Sequence, residues 1–165
     1  MRRVSGTPLE DVVIEPAAAG HVEAVTGLIG RVFQEYGFAF DPTTELPDLL
    51  AFEHHYGPPK GAFFVARRGG EVVGSVGVER LFDTTAELHR LYLDADLRGR
   101  GLGRALVETV LAWCRAAGLT HLVLWSDTRF ERAHVLYERM GFRRTGEREL
   151  QDVNNSSEFR YERDT

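Results

Sequence analysis

The densest chemistry in this chain lies in seven residues, Arg98-Gly99-Arg100-Gly101-Leu102-Gly103-Arg104. Three glycines at alternate positions let the backbone turn tightly enough for its N–H groups to converge. The loop opens a long amphipathic run that starts at Leu102. Unpaired amides at a helix N-terminus, with the positive end of the helix dipole, bind phosphate oxygens, and three arginines add positive charge. The bland alternative is a glycine turn with solvated arginines, and a glycine-rich loop by itself does not decide between the two. Context favours the phosphate, because a strand-like run (Leu88 to Leu93), the loop and the helix follow one another in the required order.

Two phosphate ligands compete for such a loop. A dinucleotide site would explain the strand, loop, helix and strand, and Asp127 falls 24 residues after Gly103, near the place of a ribose-binding acid. That motif, however, needs glycine where Arg104 stands, and too little sequence follows for the remaining strands. A P-loop lacks its Gly-Lys-Ser/Thr. A phosphate-bearing cofactor of another kind remains open. Elsewhere, Cys114 sits on the apolar side of a helix and reads as core. Glu131 and His134 are spaced i,i+3 with no second such pair to complete a metal site. His54 and His55 would point apart on a helix. No metal site is expected.

The stretch Leu91-Tyr92-Leu93-Asp94-Ala95-Asp96-Leu97-Arg98-Gly99-Arg100-Gly101-Leu102-Gly103 resembles the acetyl-CoA motif of the GNAT superfamily of N-acetyltransferases. Its core pattern, Arg/Gln-x-x-Gly-x-Gly/Ala, is met by Arg98, Gly101 and Gly103. Ala133-His134-Val135-Leu136-Tyr137-Glu138-Arg139-Met140-Gly141-Phe142 resembles the second signature of that family, Ala-x-x-Leu-Tyr-Glu-x-x-Gly-Phe. The resemblance spans about residues 11–163. It implies an α/β (α+β) fold with a mixed, mostly antiparallel central sheet, splayed between strands 86–93 and 121–125 and flanked by about four helices. It further implies acetyl-CoA as acyl donor, its pantetheine arm on the backbone of Leu91, Tyr92 and Leu93. The pyrophosphate would rest on the amides of Arg98, Gly99, Arg100, Gly101, Leu102, Gly103 and Arg104.

Direct transfer from thioester to amine asks for three things: a proton taken from the amine, a polarised carbonyl and a proton for the leaving thiolate. Tyr137 resembles the family tyrosine that protonates the thiolate; its other reading is a core tyrosine. Glu87, upstream of the cofactor contacts on the same strand, is a candidate base or an exposed strand glutamate. His89 shares its face as a second candidate. Where the family often has asparagine, this chain has Phe130, and Ser126, Asp127 or Thr128 could supply the polar contact instead.

The elements that must position these groups follow from periodicity. Val12 to Glu15 reads as a strand and His21 to Tyr36 as a helix, with Val22, Val25, Ile29, Val32 and Phe33 on one face. Phe38 to Pro47 reads as a loop and Asp48 to His55 as a short helix. Phe63 to Arg67 and Glu71 to Val78 form a hairpin about Arg68-Gly69-Gly70. In the 86–93 strand the apolar phase slips between Leu88 and Leu91. A β-bulge or burial on both faces would explain this equally. A helix over 102–117, a strand over 121–125, a helix over 130–140 and closing strands over 143–150 and 157–163 complete the series.

Length and composition set the frame. The chain has 165 residues, 43 % hydrophobic and 27 % charged, which fits one globular domain over 1–165. The net charge is −5 at pH 7, and residues 1–89 carry 7 basic against 13 acidic side chains, so nucleic acid is not an expected partner. A single cysteine and the lack of any apolar leader or membrane-length stretch suggest a cytoplasmic protein with no membrane partner. An amine substrate and, as a candidate, a second copy in a homodimer are the partners expected. Three functions remain: an acetyl-CoA-dependent N-acetyltransferase, a CoA-binding sensor without catalysis, and an NAD-type oxidoreductase. By the same resemblance, the amine would be shaped by the first helix region and the loops at 37–60 and 151–156. Asp41, Glu45, Asp48 and Glu53 make the first loop acidic, which suits either a cationic substrate or plain solvation.

Overall fold

The computed structural model describes residues 2–3 and 9–165. Eight strands form one sheet: β1 (Arg2–Arg3), β2 (Val12–Pro16), β3 (Gly61–Arg68), β4 (Glu71–Phe82), β5 (Thr85–Leu93), β6 (His121–Asp127), β7 (Arg143–Glu149) and β8 (Ser157–Asp164). Their spatial order is β1-β2-β3-β4-β5-β6-β8-β7. Every neighbouring pair is antiparallel except β5 and β6. The expected mixed, mostly antiparallel sheet is therefore present.

Helices cover both faces because β3 is apolar on both. Phe63 and Val65 face a core shared with Val25, Leu28, Ile29 and Phe33 of α1 (Val22–Glu35). Ala66, with half-buried Phe64, faces the other core, where α5 (Leu102–Ala116) buries Leu102, Leu106, Val110 and Cys114. The third long helix, α6 (Glu131–Arg139), packs Tyr137 on this second core.

Among the described residues six helices are present where about four were expected. Residues 38–47 are not all loop: Asp41 accepts the Thr43 amide at 3.1 Å, and Pro42 in the first turn starts α2 (Pro42–Glu45). The expected helix over 48–55 is two pieces, α3 (Pro47–Leu50) and α4 (Phe52–Tyr56). Leu46 and Ala51, with ψ of 50° and 48°, break the series before and after α3. Strand β4 runs past Val78 to Phe82 because β5 pairs with it as far as Thr85, and β6 runs past Trp125 to Asp127 because β8 pairs with that end.

Two irregularities of β5 shape the site. Its register on β4 shifts between the pairs His89↔Gly77 and Tyr92↔Ser75, which leaves one extra residue on β5. Arg90 lies in this bulge with φ of 54°, a left-handed conformation unusual for a side chain of its size. The phase slip in the sequence is thus a bulge. Second, β5 pairs with β6 only from Thr85↔His121 to Leu88↔Leu124. Beyond those four rungs the two strands part.

Candidate active site

A cleft of about 410 Å³ opens where β5 and β6 part. It brings together Glu87, His89, Leu91 and Tyr92 of β5 with Tyr137 of α6, so both proposed catalytic residues face one space. Tyr137 is 4 % exposed and its ring packs on Phe142 and Tyr161. Among the described residues nothing hydrogen-bonds its hydroxyl, and no solvent-sealed polar side-chain atom lacks a partner. The hydroxyl therefore opens on the cleft. Burial holds it well above the ordinary phenol range, which keeps its proton in place.

Glu87 and His89 are partners rather than alternatives. They lie two apart on β5, hence on one face, and Glu87 Oε1 is 2.5 Å from His89 Nε2. Behind them a chain of contacts fixes the histidine. The Tyr56 hydroxyl donates to Asp48 Oδ2 at 2.5 Å, and Asp48 also accepts from Arg90 Nη2 at 2.6 Å and Arg90 Nε at 3.2 Å. Burial raises the Asp48 pKa, but Arg90 and the Tyr56 hydroxyl outweigh it and hold the carboxyl below its usual range. Tyr56 has one proton and has committed it, so at 3.1 Å its oxygen accepts from His89 Nδ1. Nε2 then meets a carboxylate oxygen, and such a contact holds a proton. Counting donors assigns one shared proton to the Glu87–His89 pair.

The glycine loop lies outside this cleft, at the end of β5. Gly99 and Gly101 have φ of 75° and 89°, and a Cβ on either would meet nothing within 4 Å. Gly101 caps α5 without a side-chain bond. Among the described residues, neither a side chain nor a carbonyl outside the helix accepts from the amides of Gly99 to Arg104. An open row of N–H donors at a 15-residue helix fits a pyrophosphate. Of the loop arginines, Arg98 is bound to Glu35 and, at 2.9 Å, to the Leu93 carbonyl. It ties the loop to α1 and β5. Arg104 pairs with Glu108 at 3.1 Å and turns to a separate hollow shared with Arg115, Arg139 and Arg163. Arg100 is exposed.

Other expectations need adjustment. Because Arg98 occupies the Leu93 carbonyl, the backbone left for a ligand's arm centres on Leu91, which the bulge frees from the ladder. The polar candidates near Phe130 are largely committed: Ser126 Oγ lies 3.2 Å from His134 Nε2, and Asp127 is ion-paired to Arg129 at 2.8 Å. Phe130 itself packs against Tyr36, Phe38 and Tyr92 as an aromatic wall of the cleft. His54 and His55 do not point apart, since their rings stand 5.1 Å from each other, but His55 serves Glu79 at 3.2 Å. Burial pushes the Cys114 thiol up to about 11, as a core cysteine requires. A dinucleotide site needs a mostly parallel sheet, and among the described residues only one strand pair is parallel.

Sequence reasoning missed Tyr56 and Arg90 as parts of the site, and had Asp48 only as one acid of the 37–60 loop, not as the partner of both. Three separate segments supply them, and the signal available was the bulge at Arg90. It also missed the clasp over the cleft, where Asn154 exchanges two 2.9 Å hydrogen bonds with the backbone of Ala39. The loops at 37–60 and 151–156 thereby meet.

The model of the Acetyltransferase (GNAT) family matches residues 29–142. The chain is 38 % identical over 104 residues to an N-acetylaspartate synthetase of Danio rerio, covering 62 % of this chain and 37 % of that protein. It is 36 % identical over 128 residues to N-acetyltransferase 8F1 of Rattus norvegicus, covering 74 % and 56 %. The chain thus spans about half or less of these relatives. Among solved structures, a GNAT-family acetyltransferase of Staphylococcus aureus superposes with a TM-score of 0.80 at 23 % identity, covering 93 % of this chain and 98 % of that one. An acetyltransferase of Streptococcus agalactiae gives 0.78 at 26 % identity, covering 92 % and 98 %.

Proposed function

Since the chain belongs to the acetyltransferase (GNAT) family, we propose that it moves an acetyl group from acetyl-CoA to a primary amine by direct transfer. The observation that carries this reading is the uncommitted Tyr137 hydroxyl, opening on the same cleft as the Glu87–His89 pair. Bound acetyl-CoA supplies a thioester: the amine nitrogen bonds its carbonyl carbon, the carbon–sulfur bond breaks, and sulfur leaves with the electron pair. The amides of Gly99 to Arg104 hold the pyrophosphate, with Arg98 bracing the loop from behind. Leu91 and Tyr92 offer backbone to the arm.

The Glu87–His89 pair takes the proton that the amine must lose. Glu87 Oε2 is engaged by no hydrogen bond among the described residues, which leaves this oxygen to receive the ammonium's proton. Tyr137 gives its proton to the departing sulfur, and the second proton, shed by the nitrogen once it is acylated, replaces it. Positioning the amine against the thioester supplies much of the remaining rate. Among the described residues no helix is long and apolar enough to cross a membrane.

Thermal melting with ligands, followed by thiol release on an amine panel, tests the proposal. Saturating CoA or acetyl-CoA at 100 times its Kd stabilises the native state by roughly 2.7 kcal/mol and NAD by nothing. At least one amine should then release CoA thiol. No shift with any CoA species would overturn the cofactor reading. A shift without thiol release on any amine would favour a sensor.

A further inference from the structure

The cleft carries more negative charge than acyl transfer uses. Seven carboxylates line it against two guanidinium groups. Five of the seven have a basic side chain as partner. Asp48 pairs with Arg90 at 2.6 Å, Asp127 with Arg129 at 2.8 Å, Glu158 with Arg148 at 2.7 Å and Glu79 with Lys60 at 3.0 Å. The fifth is Glu87, which His89 serves. Two carboxylates make no ion pair among the described residues, Glu45 at the end of α2 and Asp152 in the loop between β7 and β8, although Arg90 lies near the first and Arg129 near the second.

These two are placed differently from a solvated acidic fringe. The Asp152 oxygens accept from the Ser156 amide at 2.7 Å and the Ser156 hydroxyl at 2.6 Å, so its direction is fixed. The Glu45 carboxylate is half-buried, yet no hydrogen bond or ion pair reaches it among the described residues; Arg90 binds only its backbone carbonyl, at 2.9 Å. Burial, then the nearby Asp152, lifts Glu45 above the usual carboxylate range, and the Arg90 charge offsets only part of that. Asp41, the N-cap of α2, is spent on the Thr43 amide and the Thr44 hydroxyl. The Asn154–Ala39 clasp binds the two segments together. A carboxylate that gives up water without gaining a partner is unfavourable until a cation joins it. The cleft holds a second unfilled polar group, the Tyr137 hydroxyl, on a side chain 4 % exposed.

We propose that the acceptor is a small amine with a second positive charge, its reacting amino group at Glu87–His89 and Tyr137 and its other cationic group between Glu45 and Asp152. This rests on the acetyltransferase reading and names its substrate class, that of aliphatic diamines. The cleft of about 410 Å³ is of small-molecule size. A dicarboxylate such as aspartate would meet like charge on both sides.

Titration calorimetry of the CoA-loaded protein with 1,5-diaminopentane, pentylamine and aspartate tests this, together with thiol release from acetyl-CoA. The diamine is expected to bind at least about 10-fold tighter than pentylamine, with aspartate weakest. Glu45→Gln should erase most of that preference by weakening the diamine, leaving pentylamine within about 2-fold. Asp152→Asn, whose amide can still accept from Ser156, is the second variant should Glu45→Gln not fold. Equal binding of diamine and pentylamine, stronger binding of aspartate, or an unchanged preference in both variants would overturn the assignment. Carboxylate-dependent diamine binding without thiol release would leave the assignment standing and remove the acetyltransferase reading instead.

Discussion

Tyr137→Phe removes an oxygen that no described residue binds, while keeping the ring that packs on Phe142 and Tyr161. An internal hydrogen bond is worth about 1 kcal/mol net, and here there is none to lose, so the fold should stay within about 0.5 kcal/mol of the parent. For a domain of this size that is a change in Tm of about 2 °C or less. Turnover should respond in a different way. Loss of a positioned acid lowers kcat by roughly 10²-fold, about 2.7 kcal/mol of barrier, with acetyl-CoA affinity unchanged. Tyr56→Phe is the contrasting control. Its hydroxyl, buried on a side chain 3 % exposed, donates to the Asp48 carboxylate and accepts from His89. Hydrogen bonds to charged groups are worth roughly 1.5–3 kcal/mol, so this variant should melt several degrees lower. Thermal denaturation paired with a thiol-release assay reads both quantities. Parental kcat in folded Tyr137→Phe would refute the role of the acid. A loss of more than about 2 kcal/mol of stability would refute the claim that its hydroxyl is free, because only a lost bond costs that much.

Two further outcomes follow. Gly101→Val forces a β-branched residue to a φ of 89°, at about 1–2 kcal/mol of backbone strain, and should weaken CoA binding by about 10-fold or more in calorimetry; a folded variant with parental affinity would place the cofactor elsewhere. His134 is held below the ordinary histidine range by burial and then by Arg144, so it is neutral in the fold, and the unfolded chain binds more protons. Its contribution is complete above the unfolded value of about 6.5 and is lost as pH falls through the lower folded value; urea midpoints should drop between pH 7 and 5.5, and His134→Gln should flatten that slope.

How much was legible in the sequence depended on the range of each interaction. The β5–loop–α5 unit and the helical faces of α1 and α6 are local, so periodicity and glycine spacing revealed them. The bulge was half-legible, since the apolar slip between Leu88 and Leu91 admits two causes and only pairing with β4 chooses between them. Segment 38–55 misled because Pro42 and Pro47, which look like loop residues, each open a helical turn. The site was legible for Glu87, His89 and Tyr137 as separate candidates. Their supporting contacts were hidden, because Asp48 reaches Arg90 across 42 positions and Tyr56 reaches His89 across 33. No spacing rule encodes such meetings. The charge balance was hidden for the same reason: four acids of the 37–60 loop look alike in sequence, and only the fold shows which are already matched.

The row of contacts from Arg90 to Glu87 has a polarity. Arg90 and Tyr56 both give protons to Asp48, His89 gives one to Tyr56, and so the histidine is left facing Glu87 as a donor. The direction is set by one acceptor-only group at the far end, Asp48, which touches neither Glu87 nor the amine. An asparagine there would reverse it. The amide's NH₂ would point at the Tyr56 oxygen, Tyr56 would turn its proton to His89 Nδ1, and the imidazole would satisfy Glu87 from its neutral tautomer. A change of one atom in a residue on α3 would thus rewrite the protonation of a histidine 41 positions along the chain, with no movement of the backbone between them.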